Sequence, residues 1–298
     1  MNIAITGAGG QLGGELCRRL GERSVPLDLP QFDLTDREKT IQTLLDLRPG
    51  AVINTAAYTL VDRAEQEADR CRRINAEGVA HLAEGCRRLD VPLVQISTDY
   101  VFGRDLNRAT PYREDDPTGP LGVYAQTKLE GEAQAAAWHK SIIVRTCGLY
   151  GRRGPQTAAS NFVDTMLRLG REGKPLRIVD DQHCTPSYVP HVAQALLFLL
   201  DAGHFGTYHV VNRGATTWHG FASEIFRQSG LDVQITRITT AEYGAPAPRP
   251  LYAVLDISKY HSLGGPAMPT WQEALAEYLQ AASFVTSETS PTIGLRTR

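Results

Sequence analysis

The chain has 298 residues, 42% apolar and 21% charged, with 31 basic residues against 33 acidic ones for a net charge of −2. That length and composition allow a large core and a smaller second one. The near-neutral balance excludes long-range attraction of a polyanion, so no nucleic-acid partner is expected.

The opening residues lack the charged-then-apolar pattern of a signal segment. The apolar run at 195–200 is too short to cross a bilayer. Cys17, Cys71, Cys86, Cys147 and Cys184 are dispersed, as suits free thiols in a reducing compartment. A cytoplasmic protein with no membrane partner is expected.

An apolar strand at residues 2–6 runs into Gly7-Ala8-Gly9-Gly10-Gln11-Leu12-Gly13 and then a helical pattern. Gly7, Gly10 and Gly13 make G-x-x-G-x-x-G. Between a strand and a helix, such glycines tighten the turn and let the backbone approach a pyrophosphate, which sits on the helix N-terminus. The setting, more than the glycines alone, points to a bound dinucleotide. A second strand at 25–27 ends at Asp28. An acid there either bonds the adenosine ribose and disfavours a 2′-phosphate, or only closes the strand. Asp33 is a second candidate near the adenine end. No arginine adjoins Asp28, which tilts the cofactor toward NADH. Asp36 is expected to cap a helix at 37–47.

The third strand, at 51–54, leads into Thr55-Ala56-Ala57-Tyr58. Small residues there let a cofactor lie against the backbone, or simply pack a strand end. A long helical pattern covers 68–89. Asn75 within it reads as a buried polar residue tying two strands. The fourth strand, at 93–97, ends in S-T-D-Y-V-F, and the Pro- and Asp-rich loop at 103–120 is expected to cover part of a site.

A helix at 123–138 places Tyr124 and Lys128 four residues apart on one face. A phenol keeps its proton to about pH 10, and an ammonium beside it lowers that value. Such a phenol protonates a carbonyl oxygen, and Thr98 can bond the same oxygen. Alone, Y-x-x-x-K is usually a surface pair. The glycine turn and Thr98 make it the proton half of a carbonyl reduction. With a fifth strand at 142–145, the alternation predicts an α/β fold with a doubly wound parallel sheet.

After residue 150 the pattern changes: a polar loop at 151–160, a helix at 161–172, a strand at 176–179, and a buried helix at 192–200. Strands at 208–211 and 234–238 and helices at 218–228 and 271–281 follow, with Gly230 suiting a helix end. The expected division is 1–150 for the dinucleotide, with 180–205 returning to it. Residues 151–179 and 206–281 form a smaller α/β lobe, and 282–298 a disordered Ser/Thr-rich tail. Arg249, in a proline-rich loop, either meets a substrate diphosphate or stands exposed. The eight histidines lack zinc-motif spacing, so no metal is expected.

Together G-A-G-G-Q-L-G, I-N-T-A-A-Y, S-T-D-Y-V-F, V-Y-A-Q-T-K-L-E-G-E and R-T-C-G-L-Y resemble the extended short-chain dehydrogenase/reductases, and within them the dTDP-4-dehydrorhamnose reductases. The resemblance implies a Rossmann-type sheet with a substrate-binding lobe. It implies NADPH or NADH as cofactor and a dTDP-4-dehydro-6-deoxy-L-sugar as substrate, giving dTDP-L-rhamnose. It makes Tyr124 the general acid and sets Lys128 on the nicotinamide ribose, tuning the phenol. Thr98 and Asp99 touch the sugar, and Gly10-Gln11-Leu12, Asp33-Leu34 and Ala56-Ala57-Tyr58 touch the cofactor. Tyr100 stands where related dehydratases carry an acid, which favours reduction over elimination. Gly148 stands where some relatives carry a Trp over the sugar, so an aromatic face is expected to be missing there. The acid that one branch uses for a metal-bridged dimer is absent from 188–191, although Glu15 is present. A monomer or weak homodimer is therefore expected. Two other readings stay open. One is reduction of another dTDP-4-ketosugar in antibiotic assembly. The other is a non-catalytic dinucleotide-binding regulatory subunit, like that of methionine adenosyltransferase.

Overall fold

The computed structural model describes residues 1–152, 154 and 161–288. Its strands are β1 (Ile3–Thr6), β2 (Ser24–Leu27), β3 (Ala51–Asn54), β4 (Leu93–Thr98), β5 (Ser141–Thr146), β6 (Leu149–Tyr150), β7 (Leu176–Val179), β8 (His183–Cys184), β9 (Ser187–Tyr188), β10 (Gly206–His209), β11 (Thr216–Thr217) and β12 (Ile235–Ile238). The helices are α1 (Gln11–Leu20), α2 (Arg37–Leu47), α3 (Val61–Ala64), α4 (Ala68–Arg72), α5 (Gly78–Leu89), α6 (Val123–Ala136), α7 (Phe162–Arg171), α8 (Val189–Asp201), α9 (Trp218–Ser229), α10 (Thr240–Tyr243), α11 (Ser258–Ser262) and α12 (Trp271–Glu288).

Six strands form one parallel sheet in the order β2-β1-β3-β4-β5-β10. Successive strand residues are buried on opposite faces. Ile3, Ile5, Ile53, Val94 and Val144 pack with residues of α1 and α8. Ala4, Val52, Leu93 and Ile143 pack with residues of α2, α5 and α6. Each such aliphatic side chain contributes roughly 1.5–3 kcal/mol on full burial, and burial on both faces explains why the strands read as near-continuous apolar runs. The winding reverses between β1 and β3, which opens a crevice at the carboxyl ends of the strands.

Local chemistry sets several boundaries. The Asp36 carboxylate accepts from the Lys39 N–H at 3.1 Å and starts α2, as expected. Gly230, at φ +67°, ends α9. Gly122 cannot cap α6 with a side chain, so Glu65 reaches across from outside the helix and accepts from the Val123 N–H at 2.8 Å.

Three expectations need correction. The pattern at 68–89 is interrupted by a π turn at Arg73–Glu77, and Asn75 lies in it. Its side chain accepts from Tyr58 N–H at 2.8 Å and donates to Tyr58 carbonyl at 3.1 Å. Asn75 thus ties a helix to the loop after β3, not two strands. Second, β10 is the sixth strand of the main sheet, whereas residues from 206 onward were expected in the smaller lobe. It satisfies the backbone groups along the outer side of β5. Third, α12 runs on to Glu288, so the first seven residues of the expected tail are helical. Residues 289–298, and most of the polar loop at 151–160, lie outside the described residues. A separate core of Tyr150, Val163, Met166, Phe221, Ile225 and Leu275 joins β6, α7, α9 and α12, and β7 pairs with β12 beside it.

Candidate active site

After β1 the chain turns at Gly7, whose φ of +68° suits glycine. A Cβ on Gly7 would lie 2.6 Å from the Ala56 nitrogen, and one on Gly13 would lie 2.3 Å from the Gly7 carbonyl oxygen. Side chains are therefore excluded at both places. Gly7 N–H donates to the Leu27 carbonyl at 3.0 Å, and Gly10 N–H to the Gly7 carbonyl at 2.9 Å. Gly10 is the N-cap of α1 and has no side chain with which to cap that helix. Its first turn is left facing outward with the positive end of the helix dipole.

A cavity of about 760 Å³ opens from this turn. Of the residues singled out from sequence, Gly7, Gly10, Gln11, Leu12, Gly13, Asp28, Asp33, Leu34, Ala56, Ala57, Thr98, Tyr124, Lys128 and Gly148 line it. The Asp28 carboxylate accepts from the Gly9 N–H at 2.6 Å. Asp33 accepts from both the N–H and the hydroxyl of Thr35, at 2.9 and 2.8 Å. Gln11 Oε1 and Thr146 Oγ1 are buried at this wall without a partner among the described residues. Orphaned polar atoms, an uncapped helix end and a turn closed to side chains fit a dinucleotide with its pyrophosphate on α1.

Three predicted residues are not on the wall. The Tyr58 ring turns into a small cluster with Ala64 and Cys71, and its hydroxyl donates to Glu67 at 2.9 Å. Its backbone, clamped by Asn75, fixes the end of the Ala56-Ala57 segment. Asp99 is 2% exposed and sits behind Thr98, whose hydroxyl donates to it at 3.0 Å. Burial, opposed by hydrogen bonds, pushes this carboxyl up to about 6. Arg249 is neither exposed nor on the cavity wall. It donates to both Asp62 oxygens, at 3.0 and 2.9 Å, and half-buried ion pairing holds it there. The 103–120 loop likewise contributes nothing to this wall. Tyr112 stacks on Phe102 at 4.1 Å between centroids, and Gly103, Leu106 and Arg108 line a second cavity of about 430 Å³ with His183 and Tyr252.

At the other end of the main cavity, the Lys128 ammonium is buried and donates to the Ile96 carbonyl at 2.6 Å. Burial lowers it to about 8, against the pull of Glu132. The Tyr124 phenol is not lowered, contrary to the sequence expectation. Burial pushes it up, and the Thr98 hydroxyl only partly opposes this. The reason is desolvation by the surrounding fold, to which the Asp99 carboxylate adds, while the Lys128 charge is aimed at a carbonyl. Tyr124 therefore holds its proton at neutral pH, the state a proton donor needs.

Glu132 continues the four-residue step from Tyr124 and Lys128, the sequence signal by which it can be found. It accepts from Arg145 Nε and Nη2 at 2.9 and 2.7 Å and from the Ser97 hydroxyl at 2.5 Å. This pins α6 to β4 and β5. Ile74 and Cys147, also unforeseen, complete the wall. Among the described residues, no group of three or more His, Cys, Asp or Glu could hold a metal ion, and no helix is long and apolar enough to cross a membrane.

A family model described as the RmlD substrate binding domain matches residues 1–284. The chain is 40% identical to the spore coat polysaccharide biosynthesis protein SpsK of Bacillus subtilis, over 94% of this chain and 98% of that protein. It is also 40% identical to the dTDP-4-dehydrorhamnose reductase of Streptomyces griseus, over 93% of this chain and 92% of that one. The solved dTDP-4-dehydrorhamnose reductase of Bacillus anthracis, in complex with NADP, is 36% identical with a TM-score of 0.88, covering 94% of this chain and 100% of its own.

Proposed function

From the premise that the chain belongs to the RmlD substrate-binding-domain family, we propose that it reduces the C4 ketone of dTDP-4-dehydro-6-deoxy-L-mannose to dTDP-L-rhamnose, with NADPH or NADH. The observation that carries this reading is the meeting of the glycine turn with Thr98, Tyr124 and Lys128 around one cavity.

The bound nicotinamide cofactor supplies the hydride. The α1 N-terminus holds the pyrophosphate, and Asp28 and Asp33 stand at the adenosine end. Tyr124, kept protonated by burial, gives its O–H proton to the ketone oxygen. The Thr98 hydroxyl, by turning its proton from Asp99 to the cavity, fixes where that oxygen sits. Lys128, charged below about pH 8, faces the nicotinamide ribose. In this reading the main sheet, including β10, carries the cofactor, and the core around α7, α9 and α12 carries the substrate. The protein works in the cytoplasm as a monomer or weak homodimer.

The test supplies dTDP-glucose with its dehydratase and epimerase, adds NADPH or NADH, and identifies the sugar formed by NMR. Tyr124→Phe is expected to lose about 10²–10⁴-fold in turnover while binding NADPH as the wild type does by fluorescence. Undiminished turnover removes Tyr124 from the chemistry. A product other than dTDP-L-rhamnose assigns a neighbouring 4-ketosugar.

A further inference from the structure

Building on that reading, we propose that Glu65 is a positioning residue: its carboxylate caps α6 from outside and so holds the turn that carries Tyr124 in place against the cofactor wall. α6 starts at Gly122, which has no side chain to offer. The Glu65 carboxylate accepts from the Val123 N–H at 2.8 Å instead, reaching across 58 positions of sequence. Tyr124 is the next residue. A Cβ on Gly122 would lie 2.7 Å from Glu65 Oε1. A self-capping Ser or Thr at 122 and this position of the carboxylate therefore exclude each other. A negative group there also meets the positive end of the helix dipole.

An ordinary surface ion pair does not account for where Glu65 sits. Among the described residues no lysine or arginine pairs with it, whereas Glu67, two residues on, takes both Arg63 and Arg70. Its position is set by α3, the four-residue helix it closes. That helix leaves the cavity wall directly: Thr59 lines the main cavity, and the Val61 N–H donates to the Thr59 carbonyl at 3.0 Å. Ala64 is buried with Tyr58 and Cys71, and Val123 and Tyr124 pack against that cluster. On the outer side Asp62, three residues before Glu65 and on the same face, holds the Arg249 guanidinium and accepts from the Ala247 N–H at 3.1 Å. Pro248, between those two, closes on the helix start, since the same Cβ on Gly122 would meet its Cδ at 3.3 Å. One short helix is thus fastened to the cofactor wall and to the proline-rich loop, and Glu65 is its hydrogen bond to the backbone of α6.

Glu65→Ala removes the cap, and Glu65→Gln keeps the accepting oxygen. The full-length variants are loaded with NADPH, the occupied sites are counted by fluorescence titration, and a single turnover is started with saturating 4-ketosugar. Glu65→Ala is expected to oxidise its bound NADPH with full amplitude and a rate constant about fivefold lower, the equilibrium weight of one lost helix cap. Its KM for the ketosugar and Kd for NADPH are expected to stay within about twofold of the wild type, because no group that touches either has gone. Glu65→Gln is expected to recover most of the rate. A part in overall stability alone lowers the amplitude and leaves the rate constant intact, and that outcome overturns the inference. So does a wild-type rate constant in Glu65→Ala, or a Glu65→Gln no faster than Glu65→Ala; each leaves the proposed reaction standing. A wild type that reduces no 4-ketosugar overturns both.

Discussion

Glu132→Gln tests the buried pair beneath the reacting groups. Glu132 and Arg145 are each 7% exposed at the side chain. With a neutral amide in place of the carboxylate, the Arg145 guanidinium faces no counter-charge among the described residues, only uncharged acceptors: the new amide oxygen, the Glu114 carbonyl at 3.3 Å and the His209 ring at 3.4 Å. His209, which burial and Arg145 push down to about 3, carries no charge and offers no compensation. Removing one partner of a buried pair costs about 3–5 kcal/mol, against a typical total of roughly 5–15 kcal/mol. For a chain of this size that is a fall in Tm of about 5–8 °C. Urea denaturation followed by circular dichroism reads it directly. Glu132→Leu combined with Arg145→Met replaces both charges by apolar bulk and is expected to recover most of the loss. There is a second readout. The Glu132 charge holds the Lys128 pKa up, so the variant titrates Lys128 below about 8. A smaller fraction is charged at pH 7.5, and the weakening of NAD(P)H binding with rising pH begins earlier. A loss under about 1 kcal/mol, or a double variant no better than the single one, would refute the reasoning.

Asp99→Asn is expected to stabilise the protein at pH 7.5 while lowering turnover. The folded state raises this carboxyl from 3.8 to about 6, so above pH 6 the buried charge costs on the order of 3 kcal/mol. That cost fades as pH falls from 6 toward 4, where the unfolded chain also takes up the proton. Thermal melts across this range check the sign, and a gain that grows toward acid pH contradicts it. Asp28→Ser removes the carboxylate from the adenosine end, where no arginine lines the cavity among the described residues. The ratio of kcat/KM for NADPH over NADH is expected to rise about tenfold, roughly 1.4 kcal/mol; an unmoved ratio clears Asp28 of any part in cofactor choice.

The strands were legible because burial on both faces demands apolar runs, and the turn was legible because Gly7 and Gly13 admit no side chain. Asp36 announced its helix by chemistry that acts over three residues. What stayed hidden depends on partners far away in the chain. Arg249 finds Asp62 across 187 positions, and no local pattern foretells that pair. Tyr58 follows a strand end, where alternation no longer fixes direction, so its ring could be assigned to either side. The Tyr124 phenol is set by burial in the tertiary fold, with the Thr98 hydroxyl and the Asp99 carboxylate beside it, and not by the lysine one turn along its own helix. β10 is only four residues long, and its role is defined by the open side of β5.

That last strand has a consequence for biogenesis. While the ribosome has yet to release residues 206–209, β5 presents a bare flank of N–H and C=O groups, bordered by apolar strands. A nascent or truncated polypeptide stopping short of Gly206 is therefore expected to be sticky, pairing with other chains through that flank. Secretion-style fusions or split versions of this protein should be divided downstream of His209, not at the seemingly natural break near Tyr150.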